Sequence, residues 1–152
     1  MMKYATLNNG VKMPMAGYRL MEKAYQAGKV RAIGLPSFNQ SQIEEMLSLC
    51  EEKPTVLQTE LHPYHQEPAL KAFLNEQGMV AQAWYPLGYG DKALLTEPLF
   101  AALGKKHGKS TAQMILRWPM QSGNIVIPGS KNPDHIKANL DLFDFALTDE
   151  QK

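Results

Sequence analysis

The chain has 152 residues, 44% of them hydrophobic and 20% charged, which is enough for one core and one domain. A net charge of +1 with a pI near 7.8 implies no basic face, so nucleic acid and anionic membrane are poor partners. The single cysteine, Cys50, excludes an internal disulfide framework, and its apolar helical setting (Met46, Leu47, Leu49) reads as a buried, unreactive thiol.

In chain order, Met1-Met2-Lys3-Tyr4-Ala5-Thr6 has no apolar leader core, and no later run is long enough to span a bilayer; a soluble, cytoplasmic protein is expected. Residues 1–17 stand apart. Thr6-Leu7, Asn9-Gly10 and Val11-Lys12-Met13 predict a hairpin, because Asn-Gly supplies the positive φ angles of a tight turn, and Gly17 marks its exit. Arg19 to Ala27 reads as a helix with Leu20, Ala24 and Ala27 on one face and Gly28 as its stop. A strand over Val30–Gly34 follows, then a helix capped by Asn39 or Ser41, in which Ser41 to Glu44 resembles a capping box, continuing to about Glu52. The next elements are a strand over Thr55–Glu60, a helix over Glu67–Gln77, and a strand over Met79–Trp84. Helices over Glu97–His107 and Ser110–Gln121 precede a strand over Asn124–Ile127. A last helix opens at Asn132-Pro133, proline suiting the first helical turn, and runs to Leu140. Strands separated by helices predict an α/β fold with parallel pairing. Periodicity alone does not choose between a small doubly wound sheet and part of a barrel.

Parallel α/β proteins place their sites after the strands. After the fourth predicted strand come Pro128-Gly129-Ser130-Lys131-Asn132-Pro133, offering a free backbone, a hydroxyl, a cation and a helix N-terminus. Those are the parts that hold a phosphate; a capped helix with a solvated lysine uses the same residues. After the third strand, Trp84 can stack on a flat heteroaromatic ring and Leu87-Gly88 can approach a pyrophosphate, although a core tryptophan and a plain turn read equally well. After the second, Gln58 can pair with a carboxamide or serve structure alone. No metal-ligand set is assigned.

Taken together, these segments resemble the aldo-keto reductase family. Lys29-Val30-Arg31-Ala32-Ile33-Gly34, Gln58…His62-Pro63-Tyr64, Ala83-Trp84…Pro86-Leu87-Gly88 and Ile127-Pro128…Ser130 carry the resemblance in order and spacing. Arg117-Trp118, the ending Asn139-Leu140-Asp141-Leu142-Phe143-Asp144-Phe145 and the hairpin Thr6 to Pro14 extend it over essentially the whole chain. The resemblance implies the C-terminal half, strands five to eight, of a TIM-type (β/α)8 barrel plus the N-terminal β-hairpin: one partial domain, with residues 1–17 as bottom hairpin and 18–152 as half barrel. It implies NADP as cofactor. Gln58 would hold the nicotinamide carboxamide, Trp84 would stack on its ring, and Leu87 and Gly88 would lie along the pyrophosphate. Ser130, Lys131 and Asn132 would contact the 2′-phosphate, with Asn139 near the adenine.

A barrel of this class needs about 250 residues, and this chain falls roughly 100 short. The sequence passes from hairpin text at Met15-Ala16-Gly17 directly to the family's helix before strand five at Tyr18. Carbonyl reduction by hydride needs a proton donor at the developing alkoxide. The family's tyrosine, lysine, aspartate and histidine belong to the skipped strands, and the sequence has no Asp-Thr-Ala…Tyr-Gly segment; no catalytic residue is assigned, Tyr18, Tyr25 and His62 included. The implied activity, NADPH-dependent reduction of aldehydes and ketones, is therefore expected to be absent from this chain alone. A weak or vestigial NADP-binding remnant, or a homo-oligomer joined through exposed strand edges, is the alternative. Retained motifs also depart from the family: Pro36-Ser37 replaces Ser-Asn after strand five, Gly129 replaces a phosphate-binding lysine, and His135 replaces an arginine. Pro119 is expected to interrupt its helix at a cost of about 3 kcal/mol or a kink. Thr148-Asp149-Glu150-Gln151-Lys152 reads as a capping-box start.

Overall fold

The computed structural model describes residues 4–6, 12–14, 16–88 and 92–151, in two compact units, Met1–Thr59 with Pro68–Ala81 and Glu60–Glu67 with Gln82–Lys152. Each is taken by itself.

The first unit opens with β1 (Tyr4–Thr6) and β2 (Lys12–Pro14), antiparallel with Ala5 opposite Met13, the hairpin the sequence predicts. Its Asn9-Gly10 turn lies outside the described residues. The following helix α1 (Ala16–Gln26) starts three residues before the predicted Arg19, so Gly17 lies in its first turn and not at a hairpin exit. The predicted apolar face is also rotated. Leu20 is 67% exposed, whereas Tyr18 and Glu22, one turn apart, are buried. Two polar anchors explain this. Tyr18 donates its hydroxyl to the Glu52 carbonyl at 2.7 Å, and Glu22 Oε1 accepts the backbone N–H groups of Glu51 and Glu52 at 2.8 and 3.1 Å.

The strand expected over Val30–Gly34 is β3 (Gly34–Pro36). A strand begins where its partner does, and β4 (Val56–Glu60) begins two residues after Pro54, which has no N–H to give. The register Gly34↔Val56, Leu35↔Leu57, Pro36↔Gln58 follows, parallel, leaving Val30 to Ala32 exposed. Between the two, α2 (Gln40–Leu49) is capped by Asn39, not by Ser41. The capping box closes from Gln42 N–H to Asn39 Oδ1 at 3.0 Å and from Asn39 N–H to Gln42 Oε1 at 2.9 Å, while Ser41 donates its hydroxyl to the same Asn39 oxygen. This helix stops at Leu49, short of the predicted Glu52: the Cys50 N–H still binds the Met46 carbonyl, but those of Glu51 and Glu52 turn to Glu22. α3 (Pro68–Glu76) and the first residues of β5 (Val80–Trp84) complete the unit, and Ile33, Leu35, Ile43, Met46, Leu57, Leu74 and Met79 are buried in it.

The second unit holds the rest of β5, α4 (Lys92–Thr96), α5 (Pro98–His107), α6 (Thr111–Gln121), β6 (Ile125–Val126), α7 (Pro133–Leu140) and a closing 3-10 turn, Asp149–Gln151. β5 and β6 are parallel, with Ala83 opposite Val126, and the strand order of the second sheet is β3-β4-β5-β6. The core of this unit is Leu94, Phe100, Met114, Ile115, Trp118 and Leu147, with Leu87, Leu103 and Phe145 packed on it. Helix α4, with the fully buried Leu94, was not predicted; the pair Leu94-Leu95 was its only apolar signal.

Pro119 does not interrupt α6. It sits in the last turn and is buried, and its carbonyl accepts the N–H groups of Ser122 and Asn124 and the Asn124 side-chain amide, at 3.0–3.1 Å. A proline so near the end loses one helical bond, and its carbonyl gathers the donors that end the helix. At Thr148, the backbone N–H donates to Gln151 Oε1 at 3.1 Å, the reach-back half of the predicted capping box. Among the described residues, no helix is long and apolar enough to cross a membrane.

Candidate functional site

The end of β5 and the exit of β6 enclose a cavity of about 530 Å³, lined by Trp84, Tyr85, Leu87, Ile127, Pro128 and Gly129, with Leu95 from α4. Its walls are made by local backbone devices. Tyr85, directly after the strand, takes the left-handed conformation (φ 47°), unusual for a side chain with a Cβ, and Gly88 repeats it at φ 76°. The Gly88 N–H closes back on the Tyr85 carbonyl at 2.8 Å, so Pro86-Leu87 forms a tight corner that turns Leu87 toward the cavity. On the other wall, a Cβ built on Gly129 would meet nothing within 4 Å. The space over that backbone is open to a ligand.

Trp84 is half-buried, its ring 4.3 Å from that of Tyr85 and tilted by 57°. Its indole N–H is buried without a partner. Such a donor costs on the order of 1–3 kcal/mol unless something accepts from it. A cavity of a few hundred Å3, largely apolar with a few unmet polar groups, is the usual form of a small-molecule site.

Downstream, Ser130 Oγ accepts the Asn132 N–H at 3.1 Å, and Asn132 Oδ1 accepts the Asp134 N–H at 2.9 Å as N-cap of α7. The capped-helix reading of these residues is thus realised. Lys131 and Asn132 are exposed and Ser130 is half-buried, immediately after the cavity residue Gly129. Asp134, in the first turn of α7, places a negative charge beside them. Asn139 lines a second, apolar groove of about 240 Å³ with Met120, Val126, Pro128, Ile136 and Leu142. Pro128 borders both spaces.

Of the sequence-predicted residues, Trp84 and Leu87 line the cavity, Gly88 flanks it, Ser130, Lys131 and Asn132 follow its far wall, and Asn139 lies in the adjacent groove. Gln58 belongs to the first unit, where it is half-buried on β4 and its carbonyl accepts the Ser37 N–H at 2.6 Å. Ser37 turns there with φ 41°, directly after Pro36. Tyr85, Leu95, Ile127 and Pro128 are lining residues the sequence reading missed. Adjacency to Trp84 and to Gly129 was the available signal for three of them; Leu95 rides on the unpredicted α4.

Tyr18 and His62 are both held by hydrogen bonds. Burial first, then the nearby Cys50 and Glu22, push the Tyr18 hydroxyl above its ordinary range, opposite to the tuning a general acid needs near neutrality. His62 accepts the Tyr64 N–H at Nδ1, which leaves the proton on Nε2 to face Glu60 Oε1 at 3.1 Å. Cys50 is free and half-buried, and burial followed by the Glu22 charge raises its thiol.

The aldo/keto reductase family model matches residues 9–152. The chain is 38% identical over 143 residues to the 9,11-endoperoxide prostaglandin H2 reductase of Trypanosoma cruzi, covering 93% of this chain and 50% of that protein. The structure of an aldo/keto reductase from Brucella melitensis superposes with a TM-score of 0.83 at 38% identity, over 90% of this chain and 52% of that one. A variant of Gox0644 in complex with NADPH does so at 0.82 and 33% identity, over 88% and 49%. The chain thus spans about half the length of the relatives it matches. With its parallel α/β sheet and these matches, the chain belongs to the aldo/keto reductase family.

Proposed function

We propose that this chain is strands five to eight of an aldo-keto reductase barrel with the bottom hairpin, that it binds NADPH weakly, and that it does not reduce carbonyls by itself. The observation that carries the binding half is the cavity at the exits of β5 and β6, lined by Trp84, whose indole N–H is buried with no acceptor. In this reading Trp84, Leu87 and Gly88 take the nicotinamide–pyrophosphate part, Gln58 the carboxamide, Ser130, Lys131 and Asn132 the 2′-phosphate, and Asn139 the adenine. NADPH, when bound, would supply hydride for a carbonyl carbon. The alkoxide must then be protonated, and the sequence offers no counterpart to the family's tyrosine segment. The proposed junction at Gly17–Tyr18 falls inside the first turn of α1, whose helix runs on to Gln26, in keeping with a chain that passes straight from hairpin to fifth-strand helix. A cytoplasmic location goes with this reading.

Titrating NADPH against tryptophan fluorescence tests the binding. Quenching is expected for the native chain and should fall away in Trp84→Phe, leaving the buried Trp118 as a constant background. Superimposable titrations would remove the stacking role. Steady-state NADPH oxidation with a panel of aldehydes should match a buffer control, and clear turnover would sink the inactive reading. Self-association is the second reading, favoured by the exposed Ile125 on the terminal strand β6 and Ile127 just after it. A monodisperse monomer by light scattering would count against it.

A further inference from the structure

Helix α7 carries the proposed phosphate contacts at its start, yet none of its residues is buried, and Ile136 and Leu140 are 47% and 72% exposed. An apolar face therefore does not set its direction. Its far end is held by polar ties from the joint between α5 and α6. Gln113, 6% exposed, donates through Nε2 to the Asp141 carbonyl at 2.8 Å and the Ala138 carbonyl at 3.2 Å, with Asp141 Oδ2 at 3.4 Å. The Ala138 carbonyl also accepts the Asp141 N–H at 3.1 Å, and the Asp141 carbonyl belongs to the residue that caps the helix end. The same amide's Oε1 accepts from Ser110 N–H and Oγ at 2.9 and 3.0 Å, closing the capping box of α6. One side chain thus caps the start of one helix and the end of another.

Lys109 reinforces the tie. Its ammonium bridges Asp141 Oδ2 at 2.8 Å and both carboxylate oxygens of Asp144 at 2.7 and 2.8 Å, and its side chain is only 9% exposed. The joint that offers these two residues is itself rigid. The Lys109 N–H binds the Gly104 carbonyl at 2.8 Å, Gly108 takes φ 66°, and a Cβ on Gly104 would stand 2.5 Å from the Lys109 carbonyl, a clash that keeps position 104 glycine.

We infer that Gln113 and Lys109 are positioning residues for the 2′-phosphate contacts: by fixing the C-terminal end of α7 to the α5–α6 joint, they fix where Ser130, Lys131 and Asn132 stand at its other end. An eight-residue helix is a stiff rod of about 12 Å, so a tilt allowed at Asp141 is delivered to Asn132. This rests on the NADPH reading above, and the two fail in different ways.

Gln113→Glu in the full chain isolates the α7 arm. A glutamate keeps the oxygen that accepts from Ser110 but faces the Ala138 and Asp141 carbonyls with a second acceptor. The Kd for NADPH is expected to rise about tenfold, as for loss of a buried hydrogen bond, while that for NADH, which has no 2′-phosphate, changes less than about twofold. Lys109→Met should shift the NADPH-to-NADH ratio the same way, and Lys109→Arg should restore it. Hydrogen exchange over Ser130–Asp141 should quicken in Gln113→Glu and Lys109→Met. Equal weakening toward both nucleotides, or an unchanged ratio in both variants, overturns the positioning role. A native chain with no affinity for NADPH removes the cofactor reading itself, and the inference with it. Should Gln113→Glu not fold, the Lys109 pair decides the matter, since its partners lie at the surface.

Discussion

The two units treat their buried polar atoms differently. In the first, Glu22 and Gln42 are buried and accept backbone N–H groups through Oε1, and the Tyr18 hydroxyl has its carbonyl. In the second, Gln113 is engaged, but the Trp84 indole N–H and the Arg117 Nε are buried without acceptors. Arg117 has a substitute, its guanidinium lying 5.7 Å from the Phe145 ring centre. Trp84 lines the cavity at the end of β5. Folded chains rarely leave a buried donor unmet without a reason, so the contrast marks the second unit as the one in which the proposed ligand site is to be tested.

The contrast can be attacked from several sides. The largest effects should come from the cores and be alike in both units: Ile43→Ala and Ile115→Ala, each fully buried, should each cost about 2–5 kcal/mol in chemical denaturation. Next, Glu22→Ala should cost about 2 kcal/mol by orphaning two backbone donors, without altering any NADPH titration. Gly129→Lys tests the open side, since its backbone φ is ordinary and its surroundings empty. It should change stability by less than about 0.5 kcal/mol yet tighten NADPH binding, restoring the charge the family carries there; unaltered affinity would argue that the phosphate lies elsewhere. The smallest effect concerns Cys50. Its raised thiol pKa favours the protonated form in the folded chain, a stabilisation present below the unfolded pKa and lost as pH rises through the folded value. Iodoacetamide at pH 8 should therefore alkylate it more slowly than an unfolded control.

Element order was legible in the sequence because caps and stops are local: Pro133 opens α7, and Gly28, Gly78 and Gly108 stand at positive φ where helices end. The errors share another cause. Where β3 starts depends on where Pro54 lets β4 start, and which face of α1 turns inward depends on carbonyls and N–H groups some 30 residues away, so neither is written in a local period. The site divides similarly. Trp84, Leu87 and the Gly129–Asn132 run stood out as strand-end chemistry, whereas Leu95 and the Gln113 tie depend on how helices pack.

Pro36 has a meaning beyond the donor it withholds from the turn at Ser37. It lies on β3, at one margin of the four-stranded sheet, and β3 has only three residues. A growing ladder needs alternating donors and acceptors, and a proline leaves a gap in that row that no incoming strand can fill. The proline that the proposed cofactor site would be better without is thus expected to guard this edge against pairing. Pro36→Ser is expected to lower the resistance of this edge to stacking, measurable as turbidity on warming.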